Sequence, residues 1–218
     1  EVLSLKTRVS ERSISLFDIV FKDESLLAVN KPCGLLSVPG RSLNRKDCLI
    51  NRLHGKFPEA LLVHRLDMDT SGVIIFARTL TAQKSLAKAF EKREVNKKYV
   101  AWVDGIIEDD GGEIDLPIRK DMQHSSPPKH IVDFEYGKPS ITRWEVSDRN
   151  EFSTRLDLYP ITGRSHQLRV HLKGIGHPII GDPIYGMKKE RMLLHAEKIS
   201  FNHPEDHQWI ELECPAPF

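Results

Sequence analysis

The chain predicts an α+β fold, a mixed and mainly antiparallel sheet flanked by helices and loops. Short strand-like runs outnumber helical ones, they follow one another without regular βαβ alternation, and several are joined by tight polar turns that suit hairpins. One domain spanning 1–218 is expected, since no repeat, linker or low-complexity segment marks a boundary. Hydrophobic content of 39% and charged content of 29% describe an ordinary soluble globular protein and exclude a disordered chain. The opening residues hold no apolar segment long enough for a signal peptide or anchor, so no membrane association and a cytoplasmic location are expected. Three cysteines, Cys33, Cys48 and Cys214, are odd in number and widely spaced, which predicts reduced thiols rather than zinc ligands or disulfides.

Residues 1–15 show no period and read as a loose arm. Phe17 to Phe21 and Leu26 to Val29 read as a hairpin across the polar link Lys22 to Ser25. The next stretch, Lys31 to Gly40, carries two prolines and two glycines among apolar residues and predicts a fixed loop. Asp47 is the expected N-cap of a helix running to Phe57, with Leu49, Leu53 and Phe57 on its inner face. Val73 to Ala77, apolar and β-branched, reads as a strand buried on both faces. Leu80 to Arg93 suits a helix with Leu86, Ala87 and Phe90 inward and a stripe of Lys84, Lys88 and Lys92 outward; a solvated face is the preferred reading of that stripe over phosphate contact. Lys97 to Val103 then predicts a strand with Tyr99, Ala101 and Val103 on one side. Glu108 to Asp115, with Gly111-Gly112, reads as an acidic turn, and Arg119 to His130 as an irregular excursion bordering a cleft. Ile141 to Val146 and Phe152 to Tyr159 predict a hairpin with one wet face, and Leu193 to Phe201 with Trp209 to Cys214 a final strand pair.

Two stretches carry more polar chemistry than connections require. His64-Arg65-Leu66-Asp67-Met68-Asp69 places two carboxylates, a histidine and an arginine just ahead of the buried strand, so a rigid element presents Asp67, the candidate nucleophile. Capping of the turn, or pairing with Arg65, is the plainer role for such an acidic pair. The other stretch, Thr162 to His177, opens a helix near Ser165 with Leu168, Leu172 and Ile175 inward and His166, Arg169 and Lys173 on an adjacent cationic face. A guanidinium there can hold a carboxylate such as Asp67 ionised and aimed, or pair with a structural acid. The net charge of +1 means that any polyanion partner needs a local basic patch.

His64-Arg65-Leu66-Asp67, Thr70-Ser71-Gly72, Lys98-Tyr99-Val100-Ala101, Thr162-Gly163-Arg164-Ser165-His166-Gln167-Leu168-Arg169-Val170-His171, Gly176-His177-Pro178-Ile179-Ile180-Gly181-Asp182 and Leu194-His195-Ala196 together resemble the RluA family of pseudouridine synthases. The resemblance keeps its order from about Asn30 to Pro217 and is to the short branch, in which no S4-like domain precedes the catalytic part. It implies a pseudouridine synthase-like fold with a central RNA-binding cleft and an enzyme that converts uridines of structured RNA, in tRNA anticodon stem-loops and large-subunit ribosomal RNA, to pseudouridine. It implies Asp67 as the catalytic aspartate, Arg169 as its basic partner and Tyr99 as the aromatic beside the target base. Arg65 would enter the RNA stack and hold the base out of it, while Arg164, Arg169 and Lys173 would line a basic cleft wall, to which the lysines from Lys84 to Lys98 could add. Isomerisation has no redox step and no hydrolysis, so neither cofactor nor metal is expected; a monomer without an obligatory protein partner suffices. Whether Asp67 attacks the sugar or removes a ribose proton to give a glycal stays open. His64 and His195 read as packing or hydrogen-bonding residues, and Asp69 as a turn residue. Specificity would lie in loops such as Arg41 to Asp47 and Arg119 to His130. Two other readings are a Mg-dependent aspartyl phosphatase, suggested by Asp67-Met68-Asp69-Thr70, and an RNA-binding module without catalysis; against the phosphatase, the strand follows Asp67 instead of leading to it.

Overall fold

The computed structural model describes residues 17–40, 46–123 and 127–218. The arm at 1–15 lies outside the described residues, as does most of the Arg41 to Asp47 loop. The first hairpin is β1 (Asp18–Lys22) and β2 (Leu26–Lys31). Its turn is closed by Asp23, whose Oδ1 accepts from the amides of Ser25 (2.8 Å) and Leu26 (2.7 Å). Helix α1 (Leu49–His54), the short β3 (Leu61–Leu62), β4 (Ser71–Ala77) and α2 (Leu80–Glu91) follow. Every residue of β4 is buried, because alternate side chains enter two separate cores. Ile74 and Phe76 pack with Leu27, Val29 and the apolar face of α1. Val73 and Ile75 pack with Leu26, Ala28 and Ala82 and Leu86 of α2. The two helices therefore cover opposite faces of β2 and β4.

Strand β5 (Asn96–Asp104) leads to the edge strand β6 (Gly111–Asp115), a small ribbon of β7 (Ile118–Lys120) and β8 (His130–Val132), and the hairpin β9 (Ile141–Arg149) and β10 (Ser153–Pro160). Helix α3 (Gln167–Gly174) and the pair β11 (Leu194–Asn202) and β12 (Trp209–Glu213) complete the chain. The main sheet runs β1-β2-β4-β11-β5-β10-β9-β6, with β12 beside β11 and β3 beside β4. Its strands pair antiparallel except at the middle, where β4 meets β11 in parallel over two residue pairs, Ser71 with His195 and Gly72 with Ala196. At this seam Gly72 has φ +116°, and a Cβ there would overlap the Ala196 backbone, so only glycine permits the approach. Ser71 Oγ donates to buried His195 Nδ1 (2.8 Å), and His195 Nε2–H donates to the Cys214 carbonyl (2.8 Å), closing the seam with paired polar groups.

Several sequence expectations change. Cys48, not Asp47, stands at the N-cap of α1, and its side chain makes no capping hydrogen bond; Asp47 is drawn instead into a 2.6 Å ion pair with Arg52. The helix stops at His54, yet Phe57 still packs beside Leu49 and Leu53. In α2 the inward row is Ala82 and Leu86 at i, i+4, whereas Ala87, one residue further round the helix, is exposed. Gly111-Gly112 is not a turn but the start of β6: a Cβ at Gly112 would strike the Trp144 indole of β9, so glycine is needed for close packing. Helix α3 begins at Gln167 rather than Ser165; Leu168 and Leu172 are buried, but Ile175, just past its end, is exposed rather than inward.

Candidate active site

Asp67 stands on a turn four residues ahead of β4, and the loop after β2 clamps that turn. Gly34 N–H donates to the Met68 carbonyl (2.9 Å), Ser37 Oγ donates to the Leu66 carbonyl (2.7 Å) and accepts from the Leu66 amide (3.1 Å), and Cys33 Sγ donates to the Asp69 carbonyl (3.0 Å). Beneath them lies Lys31, with 0% exposure. Its ammonium donates to the carbonyls of Pro32 (2.9 Å), Leu35 (2.7 Å) and Met68 (2.9 Å), tying both loops to one point. Burial drives its pKa down to about 8, against the opposing charges of Cys33, Asp67 and Asp69. His64 accepts the Ile75 amide proton (3.1 Å) on Nε2 and stacks on Phe90, which fixes the other approach to the turn.

From across the seam, α3 delivers Arg169, 2% exposed. Its Nη1 donates to Asp67 Oδ2 at 3.1 Å, while Nε and Nη2 fork onto Asp182, each at 2.7 Å. One guanidinium thus serves two carboxylates. Burial alone would lower the Arg169 pKa, but the Asp182 hydrogen bonds and the charges of Asp67 and Asp182 outweigh it and raise it. Asp182 is fully buried and also accepts from the amides of Ile184 (2.8 Å) and Tyr185 (3.1 Å). The helix itself is anchored by structural members of the same motif. Gln167 accepts from Thr162 Oγ1 (2.7 Å) and donates to Thr142 Oγ1 (3.0 Å); His171 joins Thr142 Oγ1 (2.9 Å) to the Leu116 carbonyl (2.9 Å).

Tyr99, on β5, packs between the core under α1 and the core under α3. Burial, and then the Asp67 charge, push its hydroxyl above the ordinary tyrosine range, so it is protonated at neutral pH. The structure therefore brings together Asp67, Tyr99 and Arg169 from three separate segments. Arg65, Arg164 and Lys173 are exposed and form no ion pair among the described residues, so their charges are free to meet a ligand. The lysine stripe of α2 agrees with its preferred reading as a solvated face: Lys84, Lys88 and Lys92 are exposed, on the helix that packs on the face of β4 opposite Leu66 and α1. Lys98 is spent internally on Asp157 (2.8 Å) and Glu197 (2.9 Å). Asp69 contributes its backbone carbonyl to the turn, and His64 and His195 are hydrogen-bonded packing residues. Sequence reasoning missed Lys31, Asp182 and Tyr185. Asp182 and Tyr185 follow Gly181 in a turn, where an acidic residue ordinarily reads as a cap.

The model of a family described as RNA pseudouridylate synthase matches residues 25–173. The dual-specificity RNA pseudouridine synthase RluA of Vibrio parahaemolyticus is 46% identical over 211 residues, covering 92% of this chain and 84% of that one. The Escherichia coli K12 protein of the same name is 44% identical over 206 residues, covering 92% and 93%. Among solved structures, human RNA Pseudouridylate Synthase Domain Containing 1 superposes with a TM-score of 0.80 at 29% identity, covering 96% of this chain and 87% of that chain.

Proposed function

The chain belongs to the RNA pseudouridylate synthase family, among its RluA-like members, and on that footing we propose that Asp67 is the group with which it isomerises uridine to pseudouridine in RNA. The observation that carries this reading is the Asp67–Arg169–Asp182 arrangement, in which a half-exposed carboxylate is aimed by a buried guanidinium whose charge a second carboxylate already shares. Arg169 is then too committed to quench Asp67, yet near enough to orient it.

The reaction breaks the bond from the ribose to N1, turns the uracil and forms a bond to C5; a proton leaves C5 and N1 gains one. No electron and no water is consumed, so the chemistry asks for a carboxylate and a proton path rather than a cofactor. Asp67 serves either as nucleophile toward the sugar or as base toward its 2′ carbon. Tyr99, a neutral phenol whose hydroxyl feels the Asp67 charge, would offer its ring as a stacking surface for uracil. A phenol of raised pKa takes up the C5 proton only as its own proton moves on, and the carboxylate of Asp67 is the acceptor at hand. A stacked uridine must leave its helix to reach this site, which costs a few kcal/mol by the usual energetics of flipping. Arg65, exposed two residues before Asp67, would enter the vacated stack, with Arg164 and Lys173 as contacts for the backbone; their exposure supports this reading.

RNA is the partner. We infer further that the tRNA anticodon stem-loop, large-subunit ribosomal RNA or both supply the uridine, and that the chain works as a single catalytic domain and monomer in the cytoplasm without an obligatory protein partner. Among the described residues, no helix is long and apolar enough to cross a membrane. Asp67→Asn tests the central assignment. RNA carrying 5-tritiated uridine should bind as before while tritium release falls to background, since the amide is neither nucleophile nor base; turnover at the parental rate would remove Asp67 from the chemistry. Mapping pseudouridine in tRNA and ribosomal RNA with and without the protein identifies the substrate.

A further inference from the structure

Asp67 has a second neighbour that the reading above does not use. His166, the residue before α3, holds its backbone at φ 58°, ψ 15°, in the left-handed region. That conformation is costly for a non-glycine residue and persists where surrounding contacts over-determine it. The cap position does not explain it, since the His166 side chain makes no capping hydrogen bond to α3. What the backbone turn achieves is to carry the imidazole between Asp67 and Tyr185. Nδ1 lies 2.7 Å from the Tyr185 hydroxyl, and Nε2 lies 4.0 Å from Asp67 Oδ2, the oxygen that also receives Arg169.

The proton positions follow from the partners. The Tyr185 oxygen accepts the backbone N–H of His130 at 2.8 Å. With that lone pair engaged, its one proton is free for His166 Nδ1, which makes Nδ1 an acceptor and leaves the hydrogen on Nε2, facing the carboxylate. We propose that His166 is a positioning residue for Asp67, set as the Nε2–H tautomer by a chain running from the His130 amide through the Tyr185 hydroxyl. It sets a neutral N–H 4.0 Å from Asp67 Oδ2, the oxygen that Arg169 also holds, so the carboxylate is flanked there without a second cation beside it.

The surroundings fit that requirement. The groups facing the imidazole are Asp67 from the catalytic turn, Arg169 from α3, Asp182 and Tyr185 from the turn after Gly181, and His130 from β8. Burial drives the His166 pKa to about 4; the charges of Asp67 and Asp182 work against this, while Arg169 and His130 work with it, so the ring is neutral at pH 7. Arg169 also lies over the Tyr185 ring, 5.2 Å from its centre, so Tyr185→Phe removes the hydroxyl while keeping that contact.

The inference rests on Asp67 as the reacting group, and its test is separable from that premise. Single-turnover rates and RNA affinity would be measured for Tyr185→Phe, His166→Ala, His166→Gln and the pair Tyr185→Phe/His166→Ala, with ¹⁵N spectra of the imidazole at pH 7. An ångström of misplacement costs roughly a hundred-fold in rate. We expect His166→Ala and Tyr185→Phe to lose about ten-fold or more in rate with affinity within two-fold. His166→Gln, which keeps an N–H, should recover part of the loss, and the double variant should be no slower than His166→Ala, since Tyr185 acts through the ring. The wild-type spectrum should show Nδ1 as the unprotonated nitrogen. Parental rates in Tyr185→Phe, additive losses in the double variant, or a proton on Nδ1 would overturn the proposal. If Asp67→Asn were active, the premise itself would fall; if Asp67→Asn is inert while these variants match the parent, only the role of His166 falls.

Discussion

Two cations are buried beside Asp67, and they are bonded in opposite ways. Lys31 is 0% exposed and its three short contacts are all to backbone carbonyls; Arg169 is 2% exposed and its three are all to carboxylates. A compact ammonium that rotates its three donors suits a cluster of carbonyls from different loops, whereas a planar fork suits a carboxylate. The difference separates two tasks. Lys31 fixes where the Asp67 turn is, and Arg169 fixes how its carboxylate points. They also come from opposite sides of the β4–β11 seam, so the site is assembled only when Gly72 allows the two halves of the sheet to close.

Disrupting the Arg169 side should give the largest effect. Asp182→Asn removes the charge that shares the guanidinium, leaving Arg169 to Asp67 alone; breaking one member of a buried pair costs about 3–5 kcal/mol. The rate should also fall by roughly a hundred-fold, the scale of one lost transition-state donor. Chemical denaturation together with single-turnover kinetics reads both, and a variant that unfolds earlier but turns over normally would confine Asp182 to the fold.

Lys31→Met should do the reverse. Unsatisfied carbonyls cost about 2–4 kcal/mol in total, or roughly 4–16 °C in Tm for a chain of this size, while the folded fraction keeps its rate within a few-fold. The two cations should also part company with pH. The folded Lys31 pKa, about 8, lies below its unfolded value of 10.5. The unfolded chain therefore binds more protons between these limits, and stability from this group rises as pH climbs through that window. Wild type should gain on Lys31→Met between pH 8 and 10, by on the order of 1–3 kcal/mol. Arg169, its pKa raised, contributes no such rise. A stability gap that stays flat across the window would mean that Lys31 does not titrate there.

Arg65→Ala should be the mildest change, because an exposed side chain without an ion pair among the described residues gives the fold almost nothing. Tm should move by less than about 2 °C, while turnover of a structured stem-loop drops more than turnover of a short flexible oligonucleotide. Equal losses on both substrates would remove Arg65 from base extrusion.

The same contrast explains what was legible in the sequence. Asp67 and Arg169 sit in the two dense polar stretches, Tyr99 within a strand, and the resemblance to one family singled out all three before any coordinates. The nearly uninterrupted apolar run Val73 to Ala77 announced a strand buried on both faces. Lys31 was hidden because a lysine ordinarily reads as surface, and nothing in Asn30-Lys31-Pro32 reveals three converging carbonyls. Asp182 was hidden because its partner lies thirteen positions back on α3, and a sequence does not show which of two acids a guanidinium prefers. The strand β6 was hidden because Gly111-Gly112 has the composition of a turn; the large Trp144 on its neighbour turns the pair into a packing requirement. The lysine stripe was legible as exposed, but the face of the sheet it covers depended on which alternate residues of β4 meet α2.

The central claim is that the geometry of Arg169, and not its charge alone, prepares Asp67. Arg169→Lys keeps the charge and discards the fork. With RNA saturating and the fold verified by its circular dichroism, single-turnover tritium release by this variant should be about a hundred-fold slower than wild type, with RNA affinity unchanged. Release at the wild-type rate would show that any cation at this position suffices, and would contradict the account.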